Sequence, residues 1–390
     1  MKQQAKRYPW QFALHEMAFY LSSSVFMSFV SVYFKQRDLS TQQISLLMAM
    51  IPFISIFAQP LWGHLGDRTG SRSRLLRWMA VGAAISILLM RLSDEFWWLM
   101  ITLTLFSAFY IALQPLGDAI ILEALSEHDQ PFGPIRLTGC LAFALSSLCI
   151  GSLLHERMNW VVYLTAITMG LVLLASFALP EAPGHQKTQQ DAGFRALLQD
   201  KQLRGLLVLV MLLQATMGYF YSFYSIHFMT LSGANSTLLG WSYLISSLSE
   251  VPFLLLSDKL FEKLGSGKLL LIAALALTIR WLLLAMLSGV YIIMATQLLH
   301  GWGFVVIMVN MAKYVNGTVP ESLRARGQML LAVVGFGVAR VVGTLGGGLL
   351  AGQIGMQDGF YAAAAVSALA LILFAPKYLT APPLNGNADP

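Results

Sequence analysis

The sequence predicts an all-α membrane protein with twelve transmembrane helices in two six-helix bundles, related by a pseudo-two-fold axis. Three observations predict this fold: a composition poor in charge, twelve apolar segments of spanning length, and two halves that resemble each other. Apolar types make up 57% of the 390 residues and charged types 11%, whereas a soluble domain carries about 25% charged residues. Such a chain cannot cover a water-facing surface, so we expect its outer surface to face lipid.

Apolar segments long enough to cross a bilayer, which takes about 20 residues, recur along the whole chain. They lie near 11–34, 42–64, 75–92, 96–121, 135–154 and 159–179, and then near 204–231, 238–256, 269–288, 290–312, 327–352 and 358–376. We therefore expect an N-terminal bundle at 1–180, a cytoplasmic central loop at 181–203, a C-terminal bundle at 204–380 and a disordered tail at 381–390. Within the central loop, residues 192–200 are predicted to form a short surface helix.

The basic residues indicate how the chain is oriented. With a cytoplasmic N-terminus, 18 of the 25 Lys and Arg residues fall in inside segments, four fall outside, and Arg280, Lys313 and Arg340 fall within spans. This positive-inside bias predicts a multi-pass protein of the bacterial cytoplasmic membrane with both termini in the cytoplasm. It also accounts for the net charge of +6 without a nucleic-acid partner.

The two halves share a pattern of residues. Residues 59–76 and 251–270 each follow the second span of their half and place Pro, Asp, Gly and basic residues in the same order. RLTG at 136–139 and RARG at 324–327 each open a fifth span. Internal repeats of this kind are a transporter design with the substrate site near the midplane, between the halves.

Signatures of soluble enzymes are missing from the sequence. It contains no H-E-x-x-H, no P-loop and no G-x-S-x-G. Cys140 and Cys149 are roughly 13 Å apart along a helix, too far for a disulfide, and no His/Cys cluster accompanies them. We therefore expect no enzymatic activity, no cofactor and no metal site.

Ionisable residues at span depth are the strongest functional signal, because each costs roughly 2.5–3.5 kcal/mol to insert. These residues are Glu16, Asp118, Glu250, Arg280, Lys313 and Arg340, together with His15, His227 and His300. Glu250 is predicted to carry the proton, with a static ion pair as the alternative. Arginine cannot lose its charge, so Arg280 is expected to pair with Glu250 first and Asp118 second. Interfacial snorkelling is the alternative for Glu16 and Lys313, and packing is favoured for His227.

The loop GHLGDRTGSRSR at 63–74 resembles the signature loop of the major facilitator superfamily. Matching positions are Gly63, Leu65, Gly66, Asp67, Arg68, Gly70 and Arg72, while Ser71 departs from the basic residue expected there. A degraded second copy retains Asp258, Lys259, Gly265 and Lys268. The resemblance implies alternating access. We expect Gly63, Asp67, Arg68, Gly70, Arg72 and Asp258 to gate the motion, with the charged cluster around Asp67 pairing with helix ends of the other bundle in the outward-facing state only; a topogenic basic loop is the alternative.

Within that superfamily the chain is most similar to the branch that holds lactose permease and the bacterial phenylpropionate permease. The similarity is strongest around QPLWGHLGD, FGPIRLTGCLAFAL, LTIRWLL and QLLHGWGF. It implies solute contacts for Asp118 and Arg136, which are 18 residues apart, and for Phe143, Arg280 and His300. Two positions depart from lactose permease: its acidic proton carrier is Gly303 here, and a basic residue is Gln297. Glu250 instead matches a carboxylate of the phenylpropionate permease branch.

These observations define two groups of predicted site residues. The substrate-binding group is Asp118, Arg136, Phe143, Tyr20, Arg280, His300 and Arg340. The proton-coupling group is Glu250, Asp118, Glu16 and His300. Tyr20 is included because it lies one helical turn from Glu16 and can face the same cavity.

The first functional hypothesis is proton-linked symport of a small organic solute. Sugars and glycosides come first because of Asp118, Arg136 and Phe143, aromatic carboxylates come second because of the basic residues in the spans, and nucleosides remain open. Proton-driven efflux of lipophilic compounds is the alternative, disfavoured because the fifth span has no proline after Pro134. A membrane sensor or scaffold is disfavoured by the charged midplane. The expected partners are a solute, protons and the lipid bilayer, with the chain as a monomer.

Overall fold

The computed structural model describes residues 9–68, 70–126, 130–155, 157–183 and 194–380. Within these ranges nearly every residue is helical. The predicted disordered tail at 381–390 and residues 184–193 of the central loop lie outside the described residues. The short helix predicted at 192–200 is observed at Phe194–Gln199.

Each half of the chain contributes six spanning helices. The first six are α1 (Trp10–Lys35), α2 (Thr41–Arg68), α3 (Arg72–Leu92), α4 (Phe96–Ser126), α5 (Gly133–Leu153) and α6 (Trp160–Ser176). The second six are α7 (Lys201–Met229), α8 (236–264), α9 (266–286), α10 (Val290–Thr318), α11 (Arg324–Ile354) and α12 (Gly359–Leu379). The prediction of twelve spans in two bundles is confirmed.

Helices α8 and α9 follow each other directly and are separated by a kink at Gly265. Its φ of 71° and ψ of 165° lie outside the helical region, in a part of conformational space that glycine enters without a steric penalty. By length and apolarity alone, Ser236–Met286 is a single candidate span of 51 residues. Helix α6, with 17 residues, is the shortest span among the described helices. Divided at Gly265, Ser236–Met286 gives the separate helices α8 and α9, which complete the six spans of the second bundle.

The two bundles meet at the end that carries the α1–α2 and α7–α8 loops. There α5 packs against α8, and α2 packs against α11. A Cβ atom at Gly240 would lie 3.1 Å from the α-carbon of Leu148, closer than side chains normally approach. Ser45 Oγ of α2 donates a 2.8 Å hydrogen bond to the carbonyl of Thr344 on α11. The bundles are therefore in direct backbone contact at this end.

At the opposite end, residues that would face the other bundle are accessible. Pro60, Leu61 and Gly63 on α2 are exposed, and residues 251–264 of α8 are exposed or half-buried. The distribution of Lys and Arg predicts that this accessible end is the cytoplasmic one. In the predicted orientation, the structure therefore corresponds to an inward-facing arrangement.

Candidate substrate and proton site

One cluster of charges lies inside the first bundle, around Arg136 of α5. Its Nη1 atom lies 3.3 Å from Asp118 Oδ2 of α4 and 3.5 Å from Glu16 Oε2 of α1. Glu16 is buried, whereas Arg136 and Asp118 are half-buried. Two carboxylates therefore share one guanidinium, and an acid group with such a neighbour can take up a proton without leaving the cation unpaired.

Two uncharged side chains complete this first cluster. The centroid of the Tyr20 ring lies 5.0 Å from Cζ of Arg136, within cation–π range. With its amide oxygen turned toward the guanidinium, Gln114 accepts hydrogen bonds of 2.5 and 2.7 Å from Arg136 and one of 3.0 Å from the Tyr20 hydroxyl. Gln114 thus joins the predicted residues at the site.

Local helix geometry explains why these side chains converge. Helix α4 is interrupted between Tyr110 and Leu113, just before Pro115, which has no N–H to continue the hydrogen-bond ladder. Gln114 and Asp118 are one turn apart after the interruption, as are Glu16 and Tyr20 on α1, so each pair shares one helix face.

A second cluster lies inside the other bundle. His300 of α10 places Nε2 3.4 Å from Glu250 Oε1 and Nδ1 3.0 Å from Nη1 of Arg280. The other terminal nitrogen of Arg280 donates a 2.5 Å hydrogen bond to Gln297, and its guanidinium lies 4.2 Å from the centroid of the Phe220 ring. We expected Glu250 as the direct partner of Arg280; the structure places the His300 imidazole between them.

The backbone around Glu250 and Gly303 explains this arrangement. Glu250 lies at a break in α8, after Ser236–Leu248 and before the segment that begins at Val251 and contains Pro252. Gly303, where lactose permease has an acid, packs against the Leu277 side chain, which leaves no room for a Cβ atom. A carboxylate from α8 therefore faces His300, whereas any side chain at position 303 would require the Leu277 side chain to move.

The two clusters face each other across the boundary between the bundles. Arg136 lies one turn before Cys140 on α5, and Glu250 lies about one turn after Ser247 on α8. Ser247 Oγ of α8 donates a 3.2 Å hydrogen bond to the carbonyl of Cys140 on α5, and the Phe143 and Tyr243 rings meet edge-on with centroids 6.5 Å apart. The predicted residues Arg136, Phe143 and Glu250 therefore lie in one region.

Arg340 of α11 forms a third group beside the second cluster. Its Nε atom donates a 2.9 Å hydrogen bond to Gln214 of α7. Its guanidinium lies 5.0 Å from the Tyr221 ring centroid and 5.3 Å from that of Phe336. A π-helical turn at Leu331–Val338 directly precedes it, and such turns are frequent at functional sites.

The remaining ionisable span residues form no ion pair with these groups among the described residues. Lys313 pairs with Asp258 at 2.5 Å, so the second copy of the loop motif is tied to the end of α10. His227 is buried and packs on Phe360, with ring centroids 5.6 Å apart. His15 is buried and lies against Gly117.

The predicted gating loop is docked within its own bundle. Arg72 is buried, forms an ion pair with Glu123 and donates to the carbonyl of Pro183 at 3.0 Å. Gly63, Arg68 and Gly70 are exposed. No described residue lies within ion-pairing distance of Asp67, which is the arrangement expected when the cytoplasmic ends of the bundles are apart.

Polar residues without charge are what sequence reasoning missed. Gln114, Gln214 and Tyr221 contact the charged groups directly, yet an amide or phenol in an apolar span resembles ordinary packing. A signal was present: Gln114 lies one turn from Asp118, and Gln214 lies seven residues, about two turns, before Tyr221 and so on the same face of α7.

Comparison with protein families adds a match over most of the chain. Residues 10–362 match the model of the MFS_1 like family. The maltose permease of Geobacillus stearothermophilus is 30% identical over 380 residues, which cover 95% of each chain. The probable 3-phenylpropionic acid transporter of Escherichia coli (strain K12) is 26% identical over 376 residues, 94% of this chain and 96% of that one.

Comparison with solved structures supports the fold. The crystal structure of a point mutant of the nucleoside transporter NupG superposes with a TM-score of 0.85 and 16% identity, over 94% of this chain and 99% of that chain. At this level of identity the likeness shows a shared fold and no more.

Proposed function

Because the chain belongs to the MFS_1 like family, and is therefore a multi-pass membrane transporter of the major facilitator superfamily and no enzyme, we propose that it is a proton-coupled symporter of a small organic solute. The observation that carries the proposal is the line of side chains from Glu250 through His300 to Arg280, facing Arg136 of the other bundle. We place the protein in the bacterial cytoplasmic membrane, as a monomer with both termini inside.

In this mechanism the solute binds between the bundles and contacts both clusters. Asp118, Arg136, Phe143 and Tyr20 bind it from the first bundle, and Arg280, His300 and Arg340 from the second. A protonated Glu250 is neutral and no longer attracts Arg136, whereas an ionised Glu250 does. Proton binding and solute binding thus alter the same contact between the bundles, which is what coupling requires.

The other acids relay or hold protons, and the loops gate the motion. Glu16 and Asp118 share the Arg136 guanidinium, so one of them can be protonated while the other keeps the ion pair, and His300 can exchange a proton with Glu250. Gly63, Asp67, Arg68, Gly70, Arg72 and Asp258 control closure of the cytoplasmic end. Asp67, which has no partner among the described residues, is the group available to pair with the other bundle on closure.

Two solute classes have support. A sugar or glycoside is favoured by the carboxylate–guanidinium–amide set around Arg136, which offers donors and acceptors to hydroxyl groups, and by the similarity to a maltose permease. An aromatic carboxylate is favoured by the cations of the second bundle and by the similarity to a probable 3-phenylpropionic acid transporter. Nucleosides remain a third class to test.

The test is transport in proteoliposomes under an imposed pH gradient. We expect one of these solutes to accumulate on the alkaline side, and an uncoupler to abolish the accumulation. Net movement of lipophilic compounds against the proton flow would contradict symport and support proton-driven efflux. A thermal-shift screen should show a stabilising solute whose effect is lost in Arg136→Ala; a variant that responds fully would contradict the binding assignment.

A further inference from the structure

Arg340 differs from the other two arginines of the site, Arg136 and Arg280, because no described side chain accepts a hydrogen bond from either of its terminal nitrogens; this inference rests on the proposed function. We propose that Arg340 is a carboxylate-binding subsite, so that the transported solute is a small organic monocarboxylate. Its carboxylate would contact Arg340, and its body would extend toward Arg136.

The contacts of Arg340 leave hydrogen-bond donors free. Among the described residues, only its Nε atom is bonded, to Gln214, and its buried Nη2 atom has no partner. The Tyr221 and Phe336 rings lie against the guanidinium at 5.0 and 5.3 Å. Such rings hold the plane of the guanidinium in place but do not neutralise its charge.

The other cations of the spans are already accommodated. Arg136 is paired with Asp118 and Glu16, and Lys313 is paired with Asp258. Arg280 has its two terminal nitrogens bonded to His300 and Gln297. Of the three arginines in the groups described above, Arg340 is therefore the one with both terminal nitrogens free of side-chain partners among the described residues.

An arginine keeps its charge at any depth in the membrane, and a buried charge without a counter-ion is costly. A carboxylate is the counter-ion that fits best, because its two oxygens match two parallel N–H donors of a guanidinium. A neutral sugar could satisfy the hydrogen bonds but would leave the charge unpaired.

The subsite is accessible and lies next to the proposed proton site. Arg340, Tyr221 and Phe304 are each half-buried, so they do not form a sealed core. The Tyr221 ring lies 6.3 Å from the ring of His300, which in turn contacts Glu250. A carboxylate at Arg340 and a proton on Glu250 would add opposite charges, so the loaded site keeps the net charge of the empty one.

The experiment compares acids with their uncharged amides. Calorimetric binding to the purified full-length protein in lipid nanodiscs is measured for benzoate, 3-phenylpropionate and gluconate, each beside its amide, and for maltose. We expect at least one carboxylate to bind at least tenfold more tightly than its amide. Arg340→Gln should remove this preference, Arg340→Lys should retain part of it, and Arg324→Gln, an exposed position on the same helix, should retain all of it.

Several outcomes would overturn the subsite. The first is that no carboxylate in the panel binds more tightly than its amide. The second is that the Arg340→Gln variant keeps the preference for the carboxylate, and the third is that maltose alone binds. If Arg340→Gln does not fold, Arg340→Lys decides, because it keeps the charge but loses the paired geometry; an undiminished preference in that variant would also overturn the proposal.

This experiment is independent of proton coupling because it needs no pH gradient. Carboxylate binding that depends on Arg340 would remain if symport were disproved. Conversely, proton-coupled uptake of maltose that is unchanged in Arg340→Gln would support symport and reject the carboxylate subsite.

Discussion

His300 lies with its Nε2 atom 3.4 Å from Oε1 of Glu250, and its other ring nitrogen contacts Arg280. A neutral imidazole that accepts from Arg280 at Nδ1 carries its hydrogen on Nε2 and can donate it to Glu250. The hydrogen bonding of the imidazole therefore depends both on the charge of Glu250 and on the position of Arg280. This relationship ties proton binding on α8 to the packing of α9 and α10.

Replacing the Glu250 carboxyl with an amide should uncouple transport. In Glu250→Gln, a neutral group of the same shape mimics the protonated acid, so we expect proton-driven accumulation of solute to fall at least tenfold. Exchange of labelled for unlabelled solute across the membrane needs no net proton movement and should persist. Both are measured in proteoliposomes with and without a pH gradient.

A matched control is available in Glu95→Gln, an exposed acid that directly precedes α4 outside the site. It should leave both activities unchanged. Full accumulation by Glu250→Gln would show that Glu250 does not carry the coupling proton, and loss of exchange as well would assign it to solute binding.

The helices were predictable, whereas the pairing of the charges was only partly so. Bilayer thickness sets the length of an apolar span, which is why α1 through α12 appear near the predicted positions. The pair of Asp118 and Arg136 was implied by a family spacing, and the structure brings the two together. The partner of Glu250 was not predictable, because the break in α8 at Glu250 turns the side chain in a direction that residue spacing does not encode.

Position 303 should not tolerate a side chain larger than hydrogen. Since a Cβ atom there would collide with Leu277, we expect Gly303→Ala to lower stability by about 1–3 kcal/mol, the usual cost of overpacking. Thermal unfolding in detergent measures the effect. Adding Leu277→Ala makes room, so the double variant should be more stable than the sum of the two single changes predicts; strict additivity would show that the two positions do not clash.

The contact between the α2–α3 loop and residues 180–183 should weaken in acid. Hydrogen bonds from Ser71 and Arg77 hold the pKa of the Glu181 carboxyl below its ordinary value of 4.5. A group whose folded pKa is lowered stabilises the folded contact above its unfolded pKa and loses this effect as the pH falls through the folded pKa. The loss is therefore expected below pH 4.5.

Hydrogen exchange, corrected for its intrinsic pH dependence, measures this contact at the amides of Arg72 and Ala182, which bond across it. We expect their protection to fall below pH 4.5 in the wild type. Glu181→Gln should show the lower protection at every pH. Protection in the wild type that does not change with pH would contradict a role for the carboxylate.

Closure of the end that carries the α1–α2 and α7–α8 loops depends on the close approach of α5 and α8 at Gly240. A leucine there would be forced into the backbone of Ser147 and Leu148, so Gly240→Leu should separate the two helices and populate arrangements open at that end. Spin labels at Ser152 and Ser232, in a background without Cys140 and Cys149, should report a longer distance than in the parent.

Gly170→Leu on α6 is the matched control, because a Cβ atom there meets nothing within 4 Å. If Gly240→Leu kept the parent distance, the glycine contact could not be what holds the bundles together, and the solute would have to reach Arg136 by a route other than separation of α5 from α8.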